Sequence, residues 1–443
     1  MACASRASNS VGLNRSASRE RKKITSKHDP YAALRFRDFR LFLFGRMLGV
    51  IGWQMLQVAL GWELYERTHS ALALGLVGLV TAIPVVVLAL PAGHLADRMD
   101  RKKIVIAAQM VFVSMSLSLS FLSHIAGPIA LIFAILLVRG TAQAYNNPAR
   151  SALLPRLVPA DVFANAVTWS SSGFQIAAVV GPAIGGAVIA IEHRATWAYL
   201  IDAALTTTYM FMLIAIRGDL VPKSEISTAT LKPRERMTFK SLGAGMRFVY
   251  ETKVILAAIT LDLFAVLFGG ATALLPIFAK DILQVGPEGL GWLRAAPSVG
   301  ALVVMLTIAH RPPMQRTGWS LILSVAGFGL ATIIFGLSRS FYLSMAMLLL
   351  LGGLDGISMV IRGTLVQLWT PDEMRGRVSA VNSVFIDMSN ELGGFESGAL
   401  AAAVGPVVAV VGGGIGTVIV VASVAWAWPE LRKLGPMTPP ALR

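Results

Sequence analysis

Charged side chains stand here where an apolar chain does not readily hold them: Arg46, Arg139, Asp262, Asp355, Asp387 and Glu391 all fall inside long hydrophobic runs. An ion at the centre of a membrane helix costs about 2.5 to 3.5 kcal/mol on insertion scales, so each needs a partner, a wet cavity or a function. Two chemistries suit them. A carboxylate beside a cavity can load and release a proton as its access to water alternates. An opposite-charge pair can instead act as a static bridge. Arg46 and Asp262 fit that second role, because both lie about 10 Å from the same end of their helices at 1.5 Å per residue. Spacing adds two shared faces, since Arg139 with Gln143 and Asp387 with Glu391 stand four residues apart on their helices.

Other chemistries are poorly served. His69, His94, His124, His193 and His310 fall in loops or at span ends without ligand spacing, and His28 lies in the polar N-terminal segment, so no metal site is expected. Cys3 is the only cysteine, which leaves no disulfide framework and no metal-binding cysteine pair. No stretch matches a phosphate-binding Walker loop, which argues against an ATP-driven pump. No cofactor is expected. The net charge of +15 could suggest nucleic acid, but the cations lie between apolar runs instead of on one water-facing surface, and that partner is excluded.

The elements that must position these groups follow from composition. A chain of 443 residues that is 55% hydrophobic and only 14% charged is an all-α polytopic membrane protein. At about 20 apolar residues per crossing, breaks at Gly, Pro and charge clusters predict twelve spans, from Phe39–Trp62 through Leu72–Pro91 to Pro406–Trp428. Of the 39 Lys and Arg, only Arg67, Arg194, Lys280 and Arg339 fall in loops on the side away from the termini, and Arg46, Arg139, Arg294 and Arg362 fall within spans. The positive-inside rule therefore puts both termini in the cytoplasm of a multi-pass inner-membrane protein. Arg294 and Arg362 are expected to snorkel to their nearer interfaces. Asp202 and Glu396 read as structural.

The organisation reads as a disordered basic tail over residues 1–38, a six-helix bundle over 39–217, a cytoplasmic linker over 218–253, a second six-helix bundle over 254–428 and a short tail over 429–443. The bundles repeat each other. At an offset of about 213 residues Gly78 falls on Gly291 and Pro84 on Pro297; at about 212, Gly140 meets Gly352, Arg150 meets Arg362, Gln143 meets Asp355 and Gln175 meets Asp387.

The run Gly93-His94-Leu95-Ala96-Asp97-Arg98-Met99-Asp100-Arg101-Lys102-Lys103 forms a charged hairpin between two apolar segments, and it resembles the loop 2-3 signature of the major facilitator superfamily. Asp100 stands where that signature usually has Gly. Gln54-Met55-Leu56-Gln57, Gly61-Trp62, Leu74-Gly75-Leu76-Val77-Gly78 and Arg375-Gly376-Arg377-Val378 are similar to the branch that includes the enterobactin exporter and macrolide efflux proteins. Gly181-Pro182-Ala183-Ile184-Gly185-Gly186 resembles the superfamily's antiporter motif, with Ala177 replacing its first Gly, and Arg139 with Gln143 resembles its span-four proton motif.

The resemblance implies the twelve-helix fold, a cavity lined by spans 1, 4, 7 and 10, and alternating access. It makes Asp97 a latch carboxylate that meets the start of span 11, with Gly93 in the same motif and with Arg98, Arg101 and Lys102 steadying the loop or meeting lipid phosphates. It points to efflux of a small hydrophobic or siderophore-like molecule in exchange for protons by a monomer. The repeat, which sets acids of the second half on neutral amides of the first, favours Asp355 as the proton site, with Asp387 or Glu391 as alternates. An importer or facilitator of the same fold, or a non-transporting membrane scaffold or sensor, remains open at this point.

Overall fold

The structure is a computed structural model that describes residues 29–217, 239–310 and 314–436. Ten of its helices are long and apolar enough to cross a membrane. Two more complete the twelve: Ala71–Val87, which is apolar but has only 17 residues, and Asp372–Val404, which has 33 residues and carries acids along its length. In order, spans 1 to 6 are Arg37–Thr68, Ala71–Val87, Arg101–His124, Ile129–Leu153, Phe163–Glu192 and Thr196–Ala215. Spans 7 to 12 are Lys253–Ile282, Gly286–Ala309, Thr317–Leu337, Phe341–Trp369, Asp372–Val404 and Pro406–Ala427. The protein therefore has the twelve spans that the sequence predicts.

Packing reproduces the repeat. In the first bundle span 1 packs on spans 5 and 6, span 3 on spans 4 and 6, and span 2 on span 4. Adding six to every number gives the second bundle: span 7 on 11 and 12, span 9 on 10 and 12, span 8 on 10. The bundles meet through two matched helix pairs, span 2 with span 11 and span 5 with span 8.

One end of the molecule, the tail side, gathers the start of span 1, the turn before span 3, the end of span 6 and the C-terminal segment. Asp38 there accepts the Arg217 N–H at 3.2 Å, and Lys253 meets Glu430 at 3.4 Å. At the far end Glu63 joins spans 1 and 6, taking the Tyr199 hydroxyl at 2.9 Å and pairing with Arg67 at 3.1 Å.

The charged motif after span 2 departs from the expected hairpin. Span 2 breaks at Leu88, but a second helix, Ala89–Arg98, carries Gly93 and the backbone of Asp97 within it, leaving only Met99 and Asp100 as the turn. Pro91 permits this because it sits in the first turn of the new helix, where a missing N–H breaks no intrahelical bond. Asp100 then begins span 3 as its N-cap, its carboxylate accepting the Lys102 N–H at 2.9 Å. An acid suits an N-cap well, which gives the replacement of Gly a physical reason.

Within the linker a further helix, Phe239–Glu251, lies against span 11 on the tail side. Its Val249 is buried with Ile255, Val366 and Val378.

Candidate functional site

A cavity of about 540 Å³ opens in the tail-ward half of the first bundle. Its lining comes from spans 1 to 6, with span 11 adding Met388, Asn390 and Glu391. Arg46 and Trp53 project from span 1, Thr81 and Val86 from span 2, Phe112 from span 3, Arg139, Gln143 and Arg150 from span 4, and Tyr209 from span 6. Of the expected cavity residues, Arg46, Arg139, Gln143 and Glu391 are thus brought together. Asp262 and Asp355 lie elsewhere, in the second bundle, and the side chains of Asp97 and Asp387 lie outside the described residues.

Arg139 is a buried cation of the lining, at 8% exposure. Its guanidinium stacks 3.7 Å above the Trp53 ring and 4.8 Å from Phe112, a cation–π sandwich that holds the group flat. Asp202 lies within electrostatic reach, but its carboxylate takes hydroxyl hydrogens from Ser116 at 2.5 Å and from Thr206 at 3.4 Å. Gln143, expected to work with Arg139, instead donates to Asn147 at 2.8 Å, and Arg150 donates to the same oxygen at 3.4 Å.

The expected bridge between Arg46 and Asp262 is not formed. Asp262 pairs with Arg362, within its own bundle, and both side chains are buried. Arg362 therefore does not snorkel. It donates from Nε to the Ser358 carbonyl at 3.3 Å and stands 3.9 Å from Asp355, whose side chain is 39% exposed. Spans 7 and 10 are neighbours in one bundle, which brings acid and base together without crossing the cavity. Arg294 also departs from its expected route to the interface. It turns inward between the bundles, donating to the Gln57 carbonyl at 3.4 Å within electrostatic reach of Glu391.

The Gly-Pro motif of span 5 works as a two-sided contact. Cβ atoms at Gly181 and Gly185 would stand 2.6 Å from Gln54 Cβ and 2.9 Å from Met55 Cα, so span 1 rests directly on this face. One residue on, a Cβ at Gly186 would stand 2.8 Å from Gly291 Cα of span 8, and one at Gly291 would meet the Pro182 carbonyl at 2.6 Å. Span 2 meets span 11 the same way: a Cβ at Gly398 would stand 2.7 Å from Gly75 Cα. Only residues without side chains allow backbones this close.

Polar ties join the bundles at the far end, where the Tyr65 hydroxyl donates to Asp281 and Lys280 meets Glu66 at 3.5 Å. The bundles are closed there, and the cavity lies on the opposite side of the closure.

In the charged motif, Arg101 donates to the Ala152 carbonyl at 3.2 Å and Lys102 to the Ile214 carbonyl at 3.0 Å. These carbonyls end spans 4 and 6, where the helix dipole favours a cation. The two bases tie three helix ends of one bundle together, while Arg98 is exposed.

Residues 28–435 match the model of the family described as transmembrane secretion effector, a branch of the major facilitator superfamily. The chain belongs to that family. It is similar to the enterobactin exporter EntS of Escherichia coli O1:K1 / APEC, at 28% identity over 403 residues that cover 91% of this chain and 94% of the relative. The same protein of Shigella boydii serotype 18 matches at the same identity and coverage.

Among solved structures, a POT family transporter in complex with a thioalcohol-conjugated peptide superposes with a TM-score of 0.69 at 13% identity, covering 89% of this chain and 96% of that one. A bacterial homologue of the human lysosomal transporter Spinster, inward-facing and occupied, gives 0.67 at 14% identity, covering 91% and 99%. These structures share the fold. The chain is a multi-pass membrane transporter, and its cargo is a small molecule.

The sequence pointed to Arg139 and to the Gly-Pro motif. It did not single out Arg150 as a cavity residue, Arg362 as the centre of an acid pair, or Glu63 with Tyr199. The repeat held the missing signal, because the offset of 213 that aligns the early spans also sets Asp262 on Gly49.

Proposed function

We propose that this protein exports a small molecule from the cytoplasm by alternating access, in exchange for protons, as a monomer in the inner membrane with both termini cytoplasmic. The single observation that carries the reading is the closure by backbone contact of Gly186 on Gly291 and Gly75 on Gly398, with the cavity on the tail side of that closure. Two matched, side-chain-free interfaces are surfaces on which bundles can rock, and a tail-side cavity is an entry site for cytoplasmic cargo. The basic loops support a cytoplasmic tail side, and the likeness to enterobactin exporters supports export of a hydrophobic or siderophore-like cargo.

Asp355 is the proton site that the arrangement favours. Asp262 holds Arg362 closely and is buried, whereas Asp355 stands further off and half-exposed, so its protonation leaves Arg362 neutralised. Glu391, seated over Gly78 at the bundle interface and lining the cavity, is the alternate. In the outward-facing state Asp97 latches the tail side, and Arg98 meets lipid phosphates.

The test is flux in proteoliposomes with an imposed pH gradient. Cargo movement up its own gradient, abolished by a protonophore, is expected. Flux that follows only the cargo gradient contradicts proton exchange.

A further inference from the structure

The two bundles place an arginine at matched positions, Arg150 in span 4 and Arg362 in span 10, but surround it differently. In the second bundle Asp262 and Asp355 flank Arg362. At the matching positions of the first bundle stand Gly49 and Gln143, which carry no charge, and Gly49, Gln143 and Arg150 all line the cavity. The framework that neutralises its own cation in one half leaves it open to the cavity in the other.

Two further cations face the same space. Arg46 lies within electrostatic reach of Arg150, a like-charge neighbour that repels it. Among the described residues, Arg46 Nε and Arg139 Nη1 are buried without a hydrogen-bond partner. Arg139 is more than nine-tenths buried and lines the cavity between Trp53 and Phe112. Buried guanidinium N–H groups are costly to leave unmade, and a planar carboxylate is the group that matches their fork. The carboxylate in the lining, Glu391, lies across the cavity from span 4 on span 11, within reach of Arg294.

From this we infer that Arg139, Arg46 and Arg150 form an anion-recognition subsite, and that the transported molecule is an organic anion carrying a carboxylate, or a group of like geometry, beside an aromatic or apolar body. The inference rests on the transport reading and deepens it. The anion takes the place that Asp262 and Asp355 occupy around Arg362. Its apolar body packs on Trp53, Phe112, Phe174 and Val86 of the lining.

The test is binding by the full-length purified protein in detergent, with naphthalene-2-carboxylate and its neutral isostere naphthalene-2-carboxamide as probes, measured by calorimetry. The carboxylate is expected to bind about ten-fold more tightly, the scale on which a charge-assisted hydrogen bond exceeds a neutral one. Arg139→Gln and Arg150→Gln should bring the two affinities together by weakening the carboxylate alone. Gln143→Asp, which copies the acid of the second bundle beside Arg150, should do the same without removing a cation. Arg150→Lys should keep the preference.

The carboxamide's unchanged affinity serves as the folding control for each variant. No carboxylate preference in the wild type, whether both probes bind alike or neither binds, overturns the inference. So does a preference that survives in both Arg150→Gln and Gln143→Asp. Because binding is read without a gradient, these results are separate from the flux measurement that tests transport.

Discussion

In the second bundle the arginine of the matched pair is enclosed, its charge met by a buried aspartate and its Nε by the Ser358 carbonyl. In the first bundle the matched arginine shares an amide oxygen with Gln143 and otherwise faces a cavity. The main helix contacts around the two repeat, spans 2 and 3 on span 4 and spans 8 and 9 on span 10, while the side chains at the matched positions differ. Removing two carboxylates from a self-neutralising site turns a structural cluster into a receptive one. The bundle that keeps its acids is correspondingly suited to handle protons, since one of its two carboxylates can be neutralised while the other still holds the arginine.

The largest effect that would break this comparison comes from Asp262. Asp262→Asn leaves Arg362 buried with only the distant Asp355, and loss of one partner of a buried pair costs about 3 to 5 kcal/mol. A large fall in melting temperature in detergent is expected. Arg150→Gln, which removes a cation that has no carboxylate partner among the described residues, should change stability by about 1 kcal/mol or less. Equal losses in the two variants would mean that the sites are not different in kind.

A smaller effect separates two glycines of the sequence motifs. Gly186→Leu forces side-chain atoms into the contact with Gly291, and overpacking of this sort costs about 1 to 3 kcal/mol. Spin labels at the far ends of spans 5 and 8 should report a wider gap. Gly93→Ala should do nothing to that distance, because no atom lies within 4 Å of where its Cβ would be. An unchanged gap in Gly186→Leu would remove the Gly–Gly contact from the account of closure.

Much of the fold was legible in the chain because membrane helices declare themselves by length and by the placement of charge. The span count, the repeat and the small-residue motif of span 5 needed no coordinates. Span 11 is the instructive case, since Asp387, Glu391 and Glu396 dilute its hydropathy, and the charge placement and the repeat both support its crossing. The turn after span 2 was misjudged because Pro91 reads as a helix end, whereas as a first-turn residue it permits a new helix.

Pairing of charges was the least legible part. Depth along a helix can be estimated from sequence, and on depth alone Arg46 and Asp262 match. Azimuth cannot be read that way, and azimuth sends Asp262 to Arg362 and leaves Arg46 facing the cavity. Arg139 was visible as a buried cation, but its stacking on Trp53 depends on how spans 1 and 4 face each other.

The division of roles between the bundles is tested most directly by Asp355→Asn in proteoliposomes, with cargo counterflow and pH-gradient-driven flux measured on the same preparation. Counterflow should persist near the wild-type rate, since the cavity of the first bundle is untouched, while the response to the pH gradient is lost. Gradient-driven flux that survives in Asp355→Asn, or counterflow that disappears with it, would contradict the assignment of proton handling to the second bundle.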